Sequence, residues 1–190
     1  MIKRILAWAI AMMLCACAAL AEGMIGFGEY ADSLSVLTDA QWTENGAVRV
    51  LDMGDGLSVS VCLIADRVAA VTVESPMDGD AEAVAEAALS ALGCMRPETL
   101  AMLAELNGGD QEKRDGCIFG KLEGERRKGI YIAAEEDFAD MVWQSVHGGS
   151  KYHAKPGCSS MDVARLVTRE AAAEMGYEPC GRCRPDSKKQ

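Results

Sequence analysis

The sequence predicts an α+β fold. It reads as a small antiparallel sheet with two helices in the order βββααββ, followed by a short Cys/His module. Three observations point there. Residues 57–64 alternate as a strand does, two amphipathic helical stripes lie between 80 and 109, and Cys and His residues gather between 153 and 183. The chain has 190 residues and a net charge of -10, with 49% hydrophobic residues. That length holds one ordinary domain or two small ones, and the composition excludes a largely disordered chain. A surplus of acid also argues against general nucleic-acid binding, because phosphate contacts need clustered Lys and Arg.

Residues 1–21 read as a secretory signal peptide. Lys3 and Arg4 form the basic start, Ile5 to Leu14 is an uncharged apolar run, and Ala19-Leu20-Ala21 supplies small residues for cleavage before Glu22. The run is short for a membrane span, which takes ~20 apolar residues. Leu14-Cys15-Ala16-Cys17 loosely resembles a bacterial lipobox, so a lipid anchor at Cys17 is a second processing option. The expected place is extracellular or at the cell envelope, with membrane contact only through the signal or such an anchor. Six Cys then remain, in a compartment where disulfides persist.

Charge divides the rest of the chain. Residues 22–147 carry -15 and residues 148–190 carry +3. This predicts an α+β domain over 22–140 and a second unit over 141–190. In the first unit Val48–Leu51 reads as a short strand. Met53-Gly54-Asp55-Gly56 makes a turn, and Leu57–Ile64 alternates, with Leu57, Val59, Val61 and Leu63 on one side. Val68–Val73 follows through a tight turn at Ala65-Asp66-Arg67, completing a meander. Asp80 suits the cap of a helix with Val84, Ala88, Leu89 and Leu92 along its apolar stripe. Pro97 suits the first turn of the next helix, which Gly108-Gly109 ends. Strands are expected at Cys117–Leu122 and Gly129–Ala133.

This first unit lacks a Gly-rich phosphate loop, a G-x-S-x-G elbow and an H-E-x-x-H pair. Asp52 and Asp55 read as turn residues rather than paired acids, and the acidic run Asn107–Glu112 as a solvated loop rather than a calcium loop. Cys62, Cys94 and Cys117 permit one disulfide and a free thiol, for example Cys94 with Cys117, or three buried thiols.

The chemistry lies in the second unit. His153 and Cys158 are followed, after a helix with Thr168 as N-cap and Gly176 as stop, by the pair Cys180 and Cys183. Cys-x2-Cys turns two sulfurs toward one ion while backbone N–H groups stabilise the thiolates. Three thiolates and a neutral imidazole make a closed tetrahedral Zn²⁺ shell. The expected metal ligands are therefore His153, Cys158, Cys180 and Cys183, and a unit this small needs such a staple. A disulfide from Cys158 to Cys180 or Cys183 fits the same residues. A thioredoxin-like pair at Cys180 and Cys183 does not, because Pro185 and the short remainder leave no helix to lower a thiol pKa. Arg165, Arg169, Arg182 and Arg184 read as solvated charge. His147 reads as an exposed turn residue, and Tyr152 and Tyr177 as packing over the site.

The stretches Lys151-Tyr152-His153 with Pro156-Gly157-Cys158, and Gly176-Tyr177 with Pro179-Cys180-Gly181-Arg182-Cys183-Arg184-Pro185, carry a resemblance over about 142–185. This module resembles the small Cys/His modules at the ends of exported bacterial proteins. Those are similar in turn to the metal-binding domain of Ada-type DNA methylphosphotriester repair proteins. The resemblance implies metal ligation by Cys158, Cys180 and Cys183, with His153 near the first ligand position. That position is Cys in the repair domain and receives the methyl group, so His153 does not inherit the reaction. The expected function is binding or structural, with an unknown envelope or extracellular ligand and a full metal shell that leaves no place for a catalytic water. The alternative is a divergent secreted hydrolase, of nuclease or wall-degrading type. It would be marked by two carboxylates, or a carboxylate and Tyr131, converging in a pocket.

Overall fold

A computed structural model of the chain describes residues 25–36, 38–79, 81–93 and 96–187. The signal segment with Cys15 and Cys17, the cap residue Asp80, and Cys94 with its proposed bridge to Cys117 lie outside the described residues.

The architecture corrects the expected fold class. The described residues form mostly β structure, with eleven strands in two sheets and five short helices. The first sheet has seven strands: β1 (Trp42–Asn45), β2 (Val48–Gly54), β3 (Leu57–Ile64), β4 (Arg67–Pro76), β5 (Gln111–Arg114), β6 (Cys117–Glu123) and β7 (Arg127–Ala134). Their spatial order is β1-β2-β3-β4-β7-β6-β5, and every pairing is antiparallel. The second sheet has β8 (Met141–Ser145), β9 (Lys151–His153), β10 (Ala164–Thr168) and β11 (Glu178–Pro179), in the order β10-β8-β9-β11. The helices are α1 (Phe27–Leu34), α2 (Ala81–Ala91), α3 (Pro97–Glu105), α4 (Glu135–Phe138) and α5 (Arg169–Glu174).

Local chemistry accounts for the meander. Asp55-Gly56 and Asp115-Gly116 both place two consecutive residues at positive φ. This is the two-residue hairpin geometry that matches strand twist, and Asp-Gly adopts it cheaply. Asp52 also serves its turn, since its carboxylate accepts the N–H of Gly54 at 2.9 Å. The expected strands at 48, 57, 68, 117 and 129 and the helices at 81 and 97 are present. β1 and β5 were not expected, because Trp42-Thr43-Glu44-Asn45 and Gln111-Glu112-Lys113-Arg114 are edge strands whose side chains mostly face water. An edge strand carries little apolar alternation to read, and its charges discourage pairing with other chains.

Both faces of the seven-stranded sheet are covered. On one, Val59, Val61, Val71, Val73, Phe119 and Ile132 pack against Tyr30, Leu34, Leu89 and Leu103 of α1, α2 and α3. On the other, Cys62, Ala70, Tyr131 and Ala133 pack against Trp143, Val163, Leu166 and Ala171 of the second sheet region. The alternation of β3 is therefore real, yet its small, partly polar side is also buried. Ser58, Ser60 and Cys62 are small because a second layer lies on them.

The contact between the sheets is specific. β10 is an edge strand, and two of its unpaired N–H groups find side-chain acceptors on the first sheet. Leu166 N–H donates to Thr72 Oγ1 at 3.4 Å, and Thr168 N–H donates to Cys62 Sγ at 3.4 Å. Buried backbone donors need such partners. The rings of Tyr131 and Trp143 meet edge to face at 4.9 Å. The β6–β7 turn is seated on the loop before β10. A Cβ on Gly124 would lie 1.8 Å from the Asp162 carbonyl oxygen, and the Asp162 carboxylate accepts the Arg126 N–H at 2.9 Å.

A third tie is Glu74 on β4, which is 2% exposed. It accepts Ser58 Oγ at 3.0 Å and lies 3.3 Å from both Arg127 Nε and His147 Nε2. His147 is thus half-exposed but engaged.

Candidate metal centre

The short second sheet brings the four candidate ligands together from separate segments. β9 ends on His153, fixed in register by Trp143 on β8. The chain then turns through Pro156-Gly157 into a single 3-10 turn, Cys158–Ser160, in which Ser159 takes the left-handed conformation at φ 62. β10 and α5 return the chain. Thr168 caps α5, its hydroxyl accepting the Ala171 N–H at 3.1 Å, and Gly176 ends the turn after α5 at φ 83. β11 then runs parallel to β9. Glu178 N–H donates to Ser150 O at 2.9 Å, and Cys180 N–H to Tyr152 O at 3.0 Å. This delivers the Cys180–Cys183 turn beside His153. The turn closes through Arg184 N–H donating to Cys180 O at 2.9 Å.

The ligand atoms of His153, Cys158, Cys180 and Cys183 all lie within 4.8 Å of one another. Cys158 Sγ and Cys180 Sγ are 4.0 Å apart, and Cys183 Sγ is 3.7 Å from His153 Nδ1. Metal–sulfur bonds of about 2.3 Å and metal–nitrogen bonds of about 2.0 Å at tetrahedral angles imply separations of about 3.8 and 3.5 Å. The two closest pairs therefore match a tetrahedral site with small adjustments. The residues present are thus close enough to hold a metal ion, and all four expected site residues are brought to one point. His153, Cys158 and Cys180 are 4 to 5% exposed, while Cys183 is half-buried.

The electrostatics favour ligation at Cys180 and His153 and oppose it at Cys183. Backbone N–H groups of Cys183 and Arg182 reach the Cys180 sulfur and, with smaller help from neighbouring sulfurs, outweigh burial, so its pKa falls to about 7. Burial pushes the Cys183 thiol up, as do its neighbouring sulfurs, against a lowering by the Ala154 N–H that approaches it at 3.3 Å. Burial, and then the Lys151 charge, lower the His153 pKa and so favour the neutral, metal-binding imidazole.

Residues outside the cluster hold its frame. The Tyr152 hydroxyl donates to Asp186 Oδ2 at 2.9 Å. Arg169 donates to Pro185 O at 2.8 Å and pairs with the same carboxylate, tying the tail to β9 and α5. Tyr152 is therefore a clamp as well as a packing residue. Arg165 is not solvated as its charge suggested. It is buried, and its Nε donates to Gln144 Oε1 at 3.0 Å. His147 is engaged with Glu74 and is not part of the cluster.

Tyr131 is buried, and its hydroxyl stands 3.2 Å from Gln111 Oε1 with no carboxylate as its partner. A cavity of about 90 Å³ between α2, α3 and the sheet is lined by Leu89, Leu100, Leu103 and Ile130, with Glu86 the one carboxylate among its described lining residues. Comparison with protein-family models, curated proteins and solved structures found no match to the chain; what the structure supports is a Cys/His cluster compatible with a metal site.

Proposed function

We propose that the protein is an exported bacterial protein with a structural Zn²⁺ held by His153, Cys158, Cys180 and Cys183, acting by binding or scaffolding at the cell envelope. The observation that carries the metal reading is the convergence of these four donor atoms within 4.8 Å from three separate segments. Three thiolates and an imidazole suit Zn²⁺ better than oxygen-seeking Ca²⁺ or Mg²⁺. When bound, the ion supplies a cross-link among β9, the 3-10 turn and the tail. Four protein ligands complete its shell, which favours a structural role over hydrolysis. The signal-like segment 1–21 supports export. The Ada-like resemblance of 142–185 supports metal ligation but not methyl transfer, because His153 occupies the acceptor position.

The test is metal and free-thiol content of the mature chain, purified without added metal or reductant. About one Zn²⁺ per chain, lost in Cys158→Ser, is expected. A metal-free chain with Cys158 disulfide-bonded to Cys180 or Cys183 would replace the zinc reading with a covalent staple. N-terminal sequencing that begins at Glu22 supports signal cleavage, and an acylated Cys17 supports a lipid anchor instead.

A further inference from the structure

We propose that the Cys/His centre is also an oxidation site, a clasp that peroxide opens through Cys183 by converting two of its thiolates to a disulfide. This inference rests on the metal reading above. Its basis is the unequal placement of the three sulfurs. Cys158 and Cys180 are each 4% exposed, whereas Cys183 is half-buried and is the one an outside reagent reaches first. Both other sulfurs lie within 4.8 Å of it, so a resolving thiolate is already at hand. A sulfenic acid with a neighbouring thiolate condenses to a disulfide rather than waiting for further oxidation.

The chemistry balances with hydrogen peroxide as the oxidant. The Cys183 sulfur, a thiolate when it serves as a metal ligand, attacks one peroxide oxygen, the O–O bond breaks, and hydroxide leaves, giving the sulfenic acid. The thiolate of Cys158 or Cys180 then attacks the Cys183 sulfur. The S–S bond forms, the S–O bond breaks, and a second hydroxide leaves. Two electrons pass from the sulfur pair to the peroxide, and two protons from solvent complete two waters. The oxidised chain retains one thiolate and His153, too few ligands for a closed Zn²⁺ shell.

The structure also says which part responds. Between His153 and β10 the only described regular element is the single 3-10 turn, and β11 is two residues long. β8 and β10, by contrast, belong to the core shared with the first sheet. Opening the clasp therefore loosens 154–162 and 178–187 and leaves the two-sheet core standing.

The experiment uses the full mature chain with reductant removed. Zinc content is measured first and tests the metal reading by itself. Hydrogen peroxide is then added while zinc release is followed with a chelating dye, disulfides are mapped by mass spectrometry, and trypsin cleavage after Arg182 is timed. One zinc released per disulfide formed is expected, with Cys183 in that disulfide, faster cleavage at Arg182, and recovery with dithiothreitol and Zn²⁺. Retention of zinc and thiols while free cysteine in the same tube is consumed would overturn the inference. So would a Cys158–Cys180 disulfide that leaves Cys183 reduced, or over-oxidation of Cys183 without a disulfide. A chain that holds no zinc before peroxide overturns the metal reading, and the disulfide map still decides the role of Cys183.

Discussion

The seven-stranded sheet and the loop half of the four-stranded sheet are held together by different means. The first has an apolar layer on each face, supplied by Val, Ile, Leu and aromatic side chains from three helices and the second sheet. Residues 154–162 and 176–187 contribute few apolar groups to either layer. Their order depends on the two backbone bonds of β11, the Tyr152–Asp186–Arg169 clamp and the Cys/His cluster. A large layer stabilises itself by burial. A small peripheral layer has too little area for that and needs a point cross-link.

This contrast sets the order of expected effects. The largest is loss of the cluster. Cys158→Ser, or removal of metal by a chelator, forfeits a binding free energy on the order of 10 kcal/mol. Disorder is expected in 154–162 and 178–187, with the seven-stranded sheet intact, as followed by zinc content and backbone NMR.

Acid acts on the same cluster. The Cys180 pKa is depressed to about 7, so its thiolate contributes fully at high pH and is lost as pH falls through about 7. Protons then compete with metal, and the apparent zinc affinity falls from pH 8 to pH 6 in a chelator-competition titration.

A core change should do the reverse of a cluster change. Leu89 is fully buried between α2 and the sheet. Leu89→Ala is expected to cost about 2–5 kcal/mol in urea unfolding, with one zinc still bound by the folded fraction.

The joint between the regions gives a smaller effect. Thr72→Val keeps the shape but leaves the Leu166 N–H without its acceptor, for about 1–3 kcal/mol and faster exchange of that amide. The smallest is Thr168→Ala, which removes the α5 cap at about 1 kcal/mol in thermal or urea unfolding.

The same contrast explains what could be read in the sequence. The central strands announce themselves because Leu57 to Ile64 alternates and Asp55-Gly56 fixes the turn before it. The cluster is legible because Cys180 and Cys183 are separated by two residues and His153 precedes Cys158 closely. The second sheet is not. β9 and β11 span three and two residues, too short for any periodicity, and β11 is a strand only because β9 lies beside it. β10 is buried along its whole length, so Ala164–Thr168 shows no alternating exposure to match its sequence pattern. The signs that were present are Gly46-Ala47 and Asp115-Gly116, two-residue hairpin loops that mark β1 and β5 where their side chains do not. The Tyr152–Asp186 and Glu74–His147 contacts join residues far apart in sequence, and no local pattern encodes them.

The most direct test of this two-part account is hydrogen exchange on the metal-loaded chain before and after chelation. The account predicts that protection is lost in 154–162 and 178–187 and kept in β3, β4 and β7. Equal loss across both sheets, or no change in either segment, would contradict it.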